Sequence, residues 1–345
     1  MANGTDKLVV IGASAGGMQP LIEVIKGLPA DFSAPVLVIQ HLSPHVTSNL
    51  ARVLGGHTGL PVRDAEHEAR IEPGTIYTAV SDHHLLVEGE HMLVTKGPKE
   101  NRFRPSVDAL FRSAAYSRRG AVIGIILSGA LNDGTSGMWS VKRFGGECIV
   151  QKPETAAFAS MPQSVLRYVE VDHQLEASAI GPLLARLCKQ PNPKTPQAMK
   201  EGDDRLTELE VAIAKGDNAL MKGVLEAGEF SPLTCPDCHG ALTRYAEGPI
   251  KRYRCHTGHA FTTETLLTGI DDNIEKTMWE VMRGMEEGKL LLDSMITDLK
   301  QRGLFEEVAV CRRRAEELVE RSQLIKEIIF GRRGLDAGLL TRVEG

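Results

Sequence analysis

The sequence predicts an α/β fold with a doubly wound, mostly parallel sheet and one antiparallel hairpin, followed by a small zinc-ribbon-like module and a C-terminal helical hairpin. Three observations lead to this prediction. As far as about residue 188, short apolar segments alternate with amphipathic helical patterns, which is typical of a parallel sheet covered on both faces. Two Cys/His clusters follow between Cys235 and His259. Beyond Thr263 apolar residues recur with helical spacing, apart from a break near Gly303.

In the first part of the chain, wholly apolar segments predict buried strands, and a period of about 3.6 residues predicts the helices between them. The predicted strands are 8–12, 35–40, 75–79, 122–128 and 147–151, and the predicted helices include 18–27, 105–116, 135–144 and 177–188. Residues 84–88 and 91–95 flank a Gly-Glu turn and predict the antiparallel hairpin.

Changes in composition predict four regions. The α/β domain is expected over residues 1–190. A segment rich in proline and charge opens a linker over 191–230, which includes a short helix from Arg205 to about Glu226. The Cys/His module is expected over 231–262 and the helical hairpin, with its tail, over 263–345.

Composition and charge exclude several classes of protein. A net charge of −5 with 42% hydrophobic residues gives no reason to expect nucleic acid as a partner. No apolar run approaches the roughly 20 residues of a bilayer-spanning helix, so no membrane insertion is expected, and the polar N-terminus lacks a signal-peptide pattern. Six cysteines are few for 345 residues. We therefore expect a cytoplasmic protein with reduced thiols.

A serine stands at the end of the first predicted strand. In Gly12-Ala13-Ser14-Ala15-Gly16 it lies between an apolar strand and a helix, which is the setting of a nucleophile elbow. Small neighbours let a substrate approach the hydroxyl, and the N–H groups of the helix N-terminus favour developing negative charge. The alternative is that the glycines form a phosphate-binding turn, although they do not match G-x-G-x-x-G.

A serine hydroxyl needs a base, and the base needs an orienting group. His41 follows the second predicted strand and Asp133 follows the strand at 122–128. Because the carboxyl ends of parallel strands share one edge of a sheet, Ser14, His41 and Asp133 are expected to meet there. The alternatives are that His41 is an ordinary strand-end residue and that Asp133, before Gly134, is a turn residue or helix cap. The order Ser…His…Asp differs from that of the α/β-hydrolases.

Several stretches resemble the catalytic domain of CheB-type chemotaxis protein-glutamate methylesterases. They are Ile11-Gly12-Ala13-Ser14-Ala15-Gly16-Gly17, Gln40-His41-Leu42-Ser43-Pro44, Arg104-Pro105-Ser106-Val107-Asp108-Ala109-Leu110-Phe111-Arg112-Ser113-Ala114, Leu127-Ser128-Gly129 with Asp133-Gly134 and Gly137-Met138, and Met161-Pro162. The resemblance covers roughly residues 5 to 190 in the correct order. It implies a doubly wound α/β domain that hydrolyses γ-glutamyl methyl esters on the cytoplasmic helices of methylated chemoreceptors, and that can deamidate receptor glutamines.

The resemblance also implies roles for individual residues. Ser14, His41 and Asp133 fall on the family's nucleophile, base and orienting carboxylate, and no cofactor is implied for catalysis. Well-known members have methionine three residues before the aspartate and often threonine after the serine, where this chain has Ala130 and Ala15. The N–H groups near Ala15 and in the Asp133 loop, including Ala130, are the candidate oxyanion donors. Arg104 is a candidate contact for an acidic receptor segment.

Family members commonly carry an N-terminal receiver domain that inhibits the esterase, whereas this chain starts close to the catalytic strand. We therefore expect control through a trans-acting signalling regulator or through the C-terminal region. The alternative function is a catalytically weak or inactive scaffold that uses the same fold to bind a signalling partner.

The Cys/His module contains two ligand pairs. Cys235, Cys238, Cys255 and His259 are the predicted zinc ligands, with His256 as the competitor for the fourth position. Two cysteines two residues apart suit one knuckle turn, and a second pair completes a tetrahedral, structural zinc site. The alternative is a pair of reduced surface turns. The helical hairpin that follows either buries its apolar stripes internally or against this module, or docks on a receptor or another signalling protein.

Overall fold

The computed structural model describes residues 7–41, 48–191 and 203–331. Within these residues the strands are β1 (Leu8–Ala13), β2 (Val36–Gln40), β3 (Val62–Asp64), β4 (Ile76–Thr78), β5 (His84–Glu88), β6 (His91–Thr95), β7 (Val122–Ile126), β8 (Glu147–Gln151), β9 (His173–Leu175), β10 (Glu229–Thr234), β11 (Ala241–Glu247), β12 (Ile250–Cys255) and β13 (Ala260–Thr262). The helices are α1 (Met18–Lys26), α2 (Leu50–Gly55), α3 (Val107–Arg118), α4 (Thr135–Arg143), α5 (Ser160–Tyr168), α6 (Ala177–Leu187), α7 (Asp203–Lys215), α8 (Thr263–Gln301) and α9 (Phe305–Gly331). Leu42 to Pro44, residues 192–202 of the predicted linker and the tail after Gly331 lie outside the described residues.

The main sheet has seven strands in the order β3-β4-β2-β1-β7-β8-β9, and every pairing in it is parallel. Alternate residues of β1 enter different cores: Leu8 and Val10 pack on one face, and Val9 and Ile11 pack on the other. Burial on both faces explains why this strand is apolar throughout. The predicted α/β class is confirmed, and the predicted hairpin is present as β5 paired antiparallel with β6.

The C-terminal sheet, which we define as β10–β13, is an antiparallel meander in chain order. It belongs to the same compact unit as the main sheet, since that unit extends to Leu266. The predicted boundary at residue 190 therefore does not separate two compact units. The physical reason is a set of buried ion pairs: Arg252 and Arg254 of β12 contact Glu100, which precedes α3.

The short helix predicted within the linker region is α7, and it ends earlier than predicted. We expected it to continue to about Glu226, but it stops at Lys215. Gly216 follows with φ of +109°, a conformation that favours glycine and commonly ends a helix.

The second compact unit, Leu267–Gly345, contains most of α8 together with α9. The two helices are antiparallel, because Trp279 in the middle of α8 contacts Phe330 at the end of α9 edge to face, and the two residues lie at similar distances along the chain from the break at Gly303. The predicted break is present at Gly303, whose φ is +75°. The described helices include none that combines the length and apolar character needed to cross a membrane.

Candidate active site and Cys/His cluster

The strand ends bring the three predicted catalytic residues to one edge of the main sheet. β1 lies between β2 and β7, and Ser14, His41 and Asp133 each follow one of these strands. The backbone ladder continues past the strand ends, because the His41 N–H donates to Ala13 O (3.0 Å) and the Ser14 N–H donates to Ser128 O (3.0 Å). The parallel topology thus positions the residues as the sequence predicted.

Ser14 lies in a tight turn between β1 and α1. Its carbonyl accepts hydrogen bonds from the Gly17 N–H (3.0 Å) and from the Gln40 side-chain amide (2.7 Å). Gly129 of the Asp133 loop passes so close that an added Cβ would lie 2.9 Å from Ser14 Cβ and 2.0 Å from the Met161 sulphur. Glycine at position 129 therefore lets the loop approach the serine.

His41 and Asp133 form a buried hydrogen-bonded pair. Nε2 of the imidazole lies 3.0 Å from Asp133 Oδ2, and the two side chains are 5% and 0% exposed. Phe103 stacks on the imidazole with ring centroids 3.9 Å apart and planes inclined by 11°. Within the described residues, the buried Nδ1 of His41 has no hydrogen-bond partner. The structure brings the histidine and the aspartate into contact, whereas no hydrogen bond joins Ser14 to His41 among the residues that the structure describes.

Asp133 is held by a group of donors at the N-terminus of α3. Oδ1 accepts from Asn101 Nδ2 (2.8 Å) and Ser106 Oγ (2.8 Å), and Oδ2 accepts from the Val107 N–H (2.6 Å). Burial by itself raises the pKa of Asp133, but the hydrogen bonds from His41, Asn101 and the Val107 N–H outweigh it, so the pKa lies below its ordinary value. Asp133 is therefore ionised and fixed in one orientation.

Three residues of this site were not predicted as site residues from the sequence, namely Asn101, Phe103 and Ser106. They lie in or just before the Arg104-Pro105-Ser106 stretch that carried part of the resemblance. The available signal was Ser106 in the first turn of the helix predicted over 105–116, because serine is a typical residue at a helix N-terminus; the observed helix begins directly after Ser106, at Val107. Asn101 and Phe103 lie in a loop without periodicity and gave no comparable signal.

The oxyanion candidates differ in their hydrogen bonding. The Gly129 N–H is occupied by Phe158 O (2.9 Å). The N–H groups of Ala15 and Ala130 donate to no acceptor among the described residues. These two backbone N–H groups therefore remain available to a substrate oxygen. Because the donors belong to the backbone, alanine at these positions supplies them as well as a larger residue would.

Arg104 does not have the free guanidinium that a receptor contact requires. Its Nη2 and Nε donate to Asp82 Oδ1 (2.7 and 3.0 Å), and its Nη1 donates to Gly97 O (3.0 Å). This arrangement fastens the loop before α3 to the β4–β5 connection. It also lowers the pKa of Asp82, chiefly through the hydrogen bond from Arg104.

The four predicted metal ligands lie together. One ligand atom from each of Cys235, Cys238, Cys255 and His259 falls within 4.8 Å of all the others. The Cys238 and Cys255 sulphurs are 3.7 Å apart, and His259 Nδ1 lies 3.7 Å from the Cys235 sulphur. A tetrahedral ion about 2.3 Å from sulphur and about 2.0 Å from nitrogen requires ligand separations of roughly 3.5 to 3.8 Å. The donor set and its spacing therefore fit zinc, and His256 lies outside the set.

Comparison with known proteins gives a consistent result. The family model for CheB methylesterase matches residues 9–184. A Thermotoga maritima protein named protein-glutamate methylesterase/protein-glutamine glutaminase is 37% identical over 185 residues, which cover 52% of this chain and 54% of that protein. A Leptospira interrogans protein provisionally named for the same two activities is 34% identical over 180 residues, covering 52% of this chain and 93% of that protein. The crystal structure of the Thermotoga maritima CheB methylesterase catalytic domain superposes with a TM-score of 0.51 and 37% identity, over 52% of this chain and 98% of that domain.

Proposed function

Because the chain belongs to the CheB methylesterase family, we propose that it hydrolyses γ-glutamyl methyl esters on chemoreceptor-like signalling helices through Ser14, His41 and Asp133. The observation that supports this most strongly is the buried 3.0 Å hydrogen bond between His41 and Asp133 at the strand end beside Ser14. A histidine oriented by a buried carboxylate is the arrangement that activates a serine hydroxyl.

The chemistry is acyl transfer. His41 accepts the Ser14 proton at Nδ1 as the hydroxyl attacks the ester carbonyl, and the oxyanion is stabilised by the N–H groups of Ala15 and Ala130. His41 then protonates the departing methanol, and water hydrolyses the glutamyl-serine ester by the same steps in reverse. Asp133 keeps the imidazole oriented and stabilises its charged form. A glutamine amide reacts by the same path with ammonia as the leaving group, so deamidation of receptor glutamines belongs to this proposal.

The test is methanol release from membranes that contain methylated receptors. The wild-type chain is expected to release methanol well above the background of the same membranes without protein, with loss of the receptor methyl groups in the mass spectrum. Unmethylated receptors serve as the matched control. Binding to the receptor without methanol release would reject the esterase and favour the scaffold.

We further propose that Cys235, Cys238, Cys255 and His259 hold a structural zinc ion. The support is the fit of their separations to a tetrahedral ion, together with a complete set of four protein ligands, which leaves no open position for chemistry. The ion would fasten the turn before β11 to the turn between β12 and β13.

About one zinc per chain is expected to co-purify, because closed Cys₃His sites bind zinc tightly. Cys238→Ser is expected to lose most of the metal and to unfold at a temperature several degrees lower, since binding energy is also folding energy. Cys311→Ser, outside the cluster, is the control and should keep both. Elemental analysis that finds no zinc in the wild-type protein would contradict the proposal.

A further inference from the structure

Asn101 connects the candidate active site with the C-terminal sheet. Its side chain is fully buried, and its Nδ2 donates to Asp133 Oδ1 (2.8 Å) and to Asp108 Oδ2 (2.7 Å). Both donors of the amide are thus used by carboxylates. One of these carboxylates orients His41.

The remaining polar groups of Asn101 face the other way. Its side-chain Oδ1 accepts hydrogen bonds from the Thr262 N–H (3.2 Å) and from Thr265 Oγ1 (3.3 Å). Its backbone N–H donates to Ala260 O (2.7 Å). Ala260 and Thr262 bound β13, and Thr265 lies in the first turn of α8. The amide is therefore held on its oxygen side, and its backbone N–H is held, by residues that lie beyond the family's matched segment, residues 9–184.

A second connection runs in parallel. Arg252 of β12 donates to Asp108 Oδ2 (3.0 Å), and the backbone N–H of Asp108 lies 3.3 Å from Asp133 Oδ1. Close to the catalytic loop itself, Thr262 Oγ1 donates to Asn132 Oδ1 (3.0 Å). The C-terminal sheet thus contacts Asn132, the residue before Asp133. It also contacts Asn101 and Asp108, which both donate hydrogen bonds to Asp133.

We infer that Asn101 is a positioning residue for ester hydrolysis and that β13 and the first turn of α8 hold it in position. The inference rests on the proposed esterase function. Asn101 fixes the plane of the Asp133 carboxylate, and that plane determines where His41 holds its free nitrogen. Without the donation from β13 and α8, the amide oxygen loses its hydrogen-bond donors, and Asn101 becomes a less rigidly held donor to the Asp133 carboxylate.

A double-mutant cycle on kcat tests this inference. Asn101→Ala is expected to lower kcat about 10- to 100-fold with little change in KM, because displacement of a catalytic group affects the transition state more than binding. Thr265→Val keeps the shape of the side chain but removes the hydroxyl that donates to Asn101 and accepts from the Thr262 N–H (2.9 Å), and it should lower kcat roughly 3- to 10-fold. In the Asn101→Ala background, Thr265→Val should have no further effect. Thr243→Val, a buried threonine of the same sheet whose hydroxyl donates to neither Asn101 nor Asp133, is the control.

The His41–Asp133 hydrogen bond can also be followed by proton NMR, which does not depend on enzymatic activity. The wild-type protein should show a low-field imidazole N–H proton resonance that disappears in His41→Gln, and both Asn101→Ala and Thr265→Val should shift it, while Thr243→Val should not. Equal effects of Thr265→Val on kcat in both backgrounds, or an unchanged resonance in folded Thr265→Val, would overturn the inference. If the wild-type protein released no methanol but Asn101→Ala and Thr265→Val still shifted the resonance, only the esterase proposal would be rejected.

Discussion

Ser14→Ala is expected to lower kcat for methanol release by at least about 10⁴-fold, because alanine cannot form the acyl intermediate and only the oxyanion donors and substrate binding remain. The change should leave the fold intact. The turn is held by the backbone carbonyl of Ser14, which accepts from Gly17 and Gln40, and alanine preserves this carbonyl. The measurement is single-turnover methanol release from methylated receptor membranes, with the thermal unfolding midpoint recorded in parallel.

Ser33→Ala is the matched control for this prediction. Ser33 is exposed and precedes β2, at the opposite end of the strand from His41. Its replacement should change neither kcat nor the unfolding midpoint. If Ser14→Ala retained the wild-type rate, the hydroxyl of Ser14 would not be the nucleophile, and the function of this strand edge would have to be binding.

The placement of these three residues at one sheet edge could be predicted from the sequence because it depends on the simplest property of the fold. β1, β2 and β7 are apolar apart from Gln40 at the end of β2, and in a parallel sheet the polar residues that follow such strands come together. Ser14, His41 and Asp133 are those residues. The edge strands β3 and β9 were not predicted because they lack such a pattern. Each has three residues, and neither sequence, Val62-Arg63-Asp64 or His173-Gln174-Leu175, shows an apolar run or a clear alternation.

The position of the C-terminal sheet could not be predicted by the same reasoning. In β12, Arg252 and Arg254 share a face of the strand, and two charges on one face normally indicate exposure to solvent. Both are instead fully buried, because they meet Glu100 and Glu210 from segments that lie far away in the sequence. Only the tertiary pairing reveals this, and it explains why the sheet does not form a compact unit of its own. The clustering of Cys235, Cys238, Cys255 and His259 was predictable because knuckle turns are local and their spacing appears directly in the sequence.

The stability of this interface should depend on the buried charges. Arg254 makes a two-pronged contact with Glu210, with Nε 2.7 Å from Oε1 and Nη2 2.5 Å from Oε2, and Nη2 also lies 3.0 Å from Glu100 Oε1. Arg254→Met is expected to lower the free energy of unfolding by about 3 to 5 kcal/mol at neutral pH, because it removes one of the three buried arginines, Arg112, Arg252 and Arg254, that pair with Glu100 and Glu210. Arg244→Met is the matched control: Arg244 lies on the neighbouring strand and pairs with Glu229 in solvent, so little or no change is expected.

Urea unfolding followed by tryptophan fluorescence can isolate the relevant unit. The chain has two tryptophans. Trp139 packs against the core of the main sheet, and Trp279 lies in the helical hairpin. In a Trp279→Phe background, the signal of Trp139 reports the unit that contains the C-terminal sheet. Unfolding of this unit at the same urea concentration in Arg254→Met and in its parent would contradict the prediction.

The pH dependence gives a second test with a definite sign. Burial acts to raise the pKa values of Glu100 and Glu210, but the arginines around them outweigh burial, so both pKa values lie below the ordinary 4.5. On acidification the unfolded chain therefore binds protons first. The stabilising contribution is present above about pH 4.5 and is lost as the pH falls through the lower pKa values of the folded protein.

The contribution of Asp108 to stability has the opposite pH dependence, since burial and the nearby Asp133 raise its pKa to about 7. Arg254 does not contact Asp108, so this contribution is common to both proteins. In Arg254→Met the pKa of Glu210 rises towards or above its ordinary value. The loss of stability between pH 6 and the acid-unfolding region should then be smaller than in the parent, and a parallel pH dependence of the two proteins would show that Arg254 does not hold these carboxylates ionised.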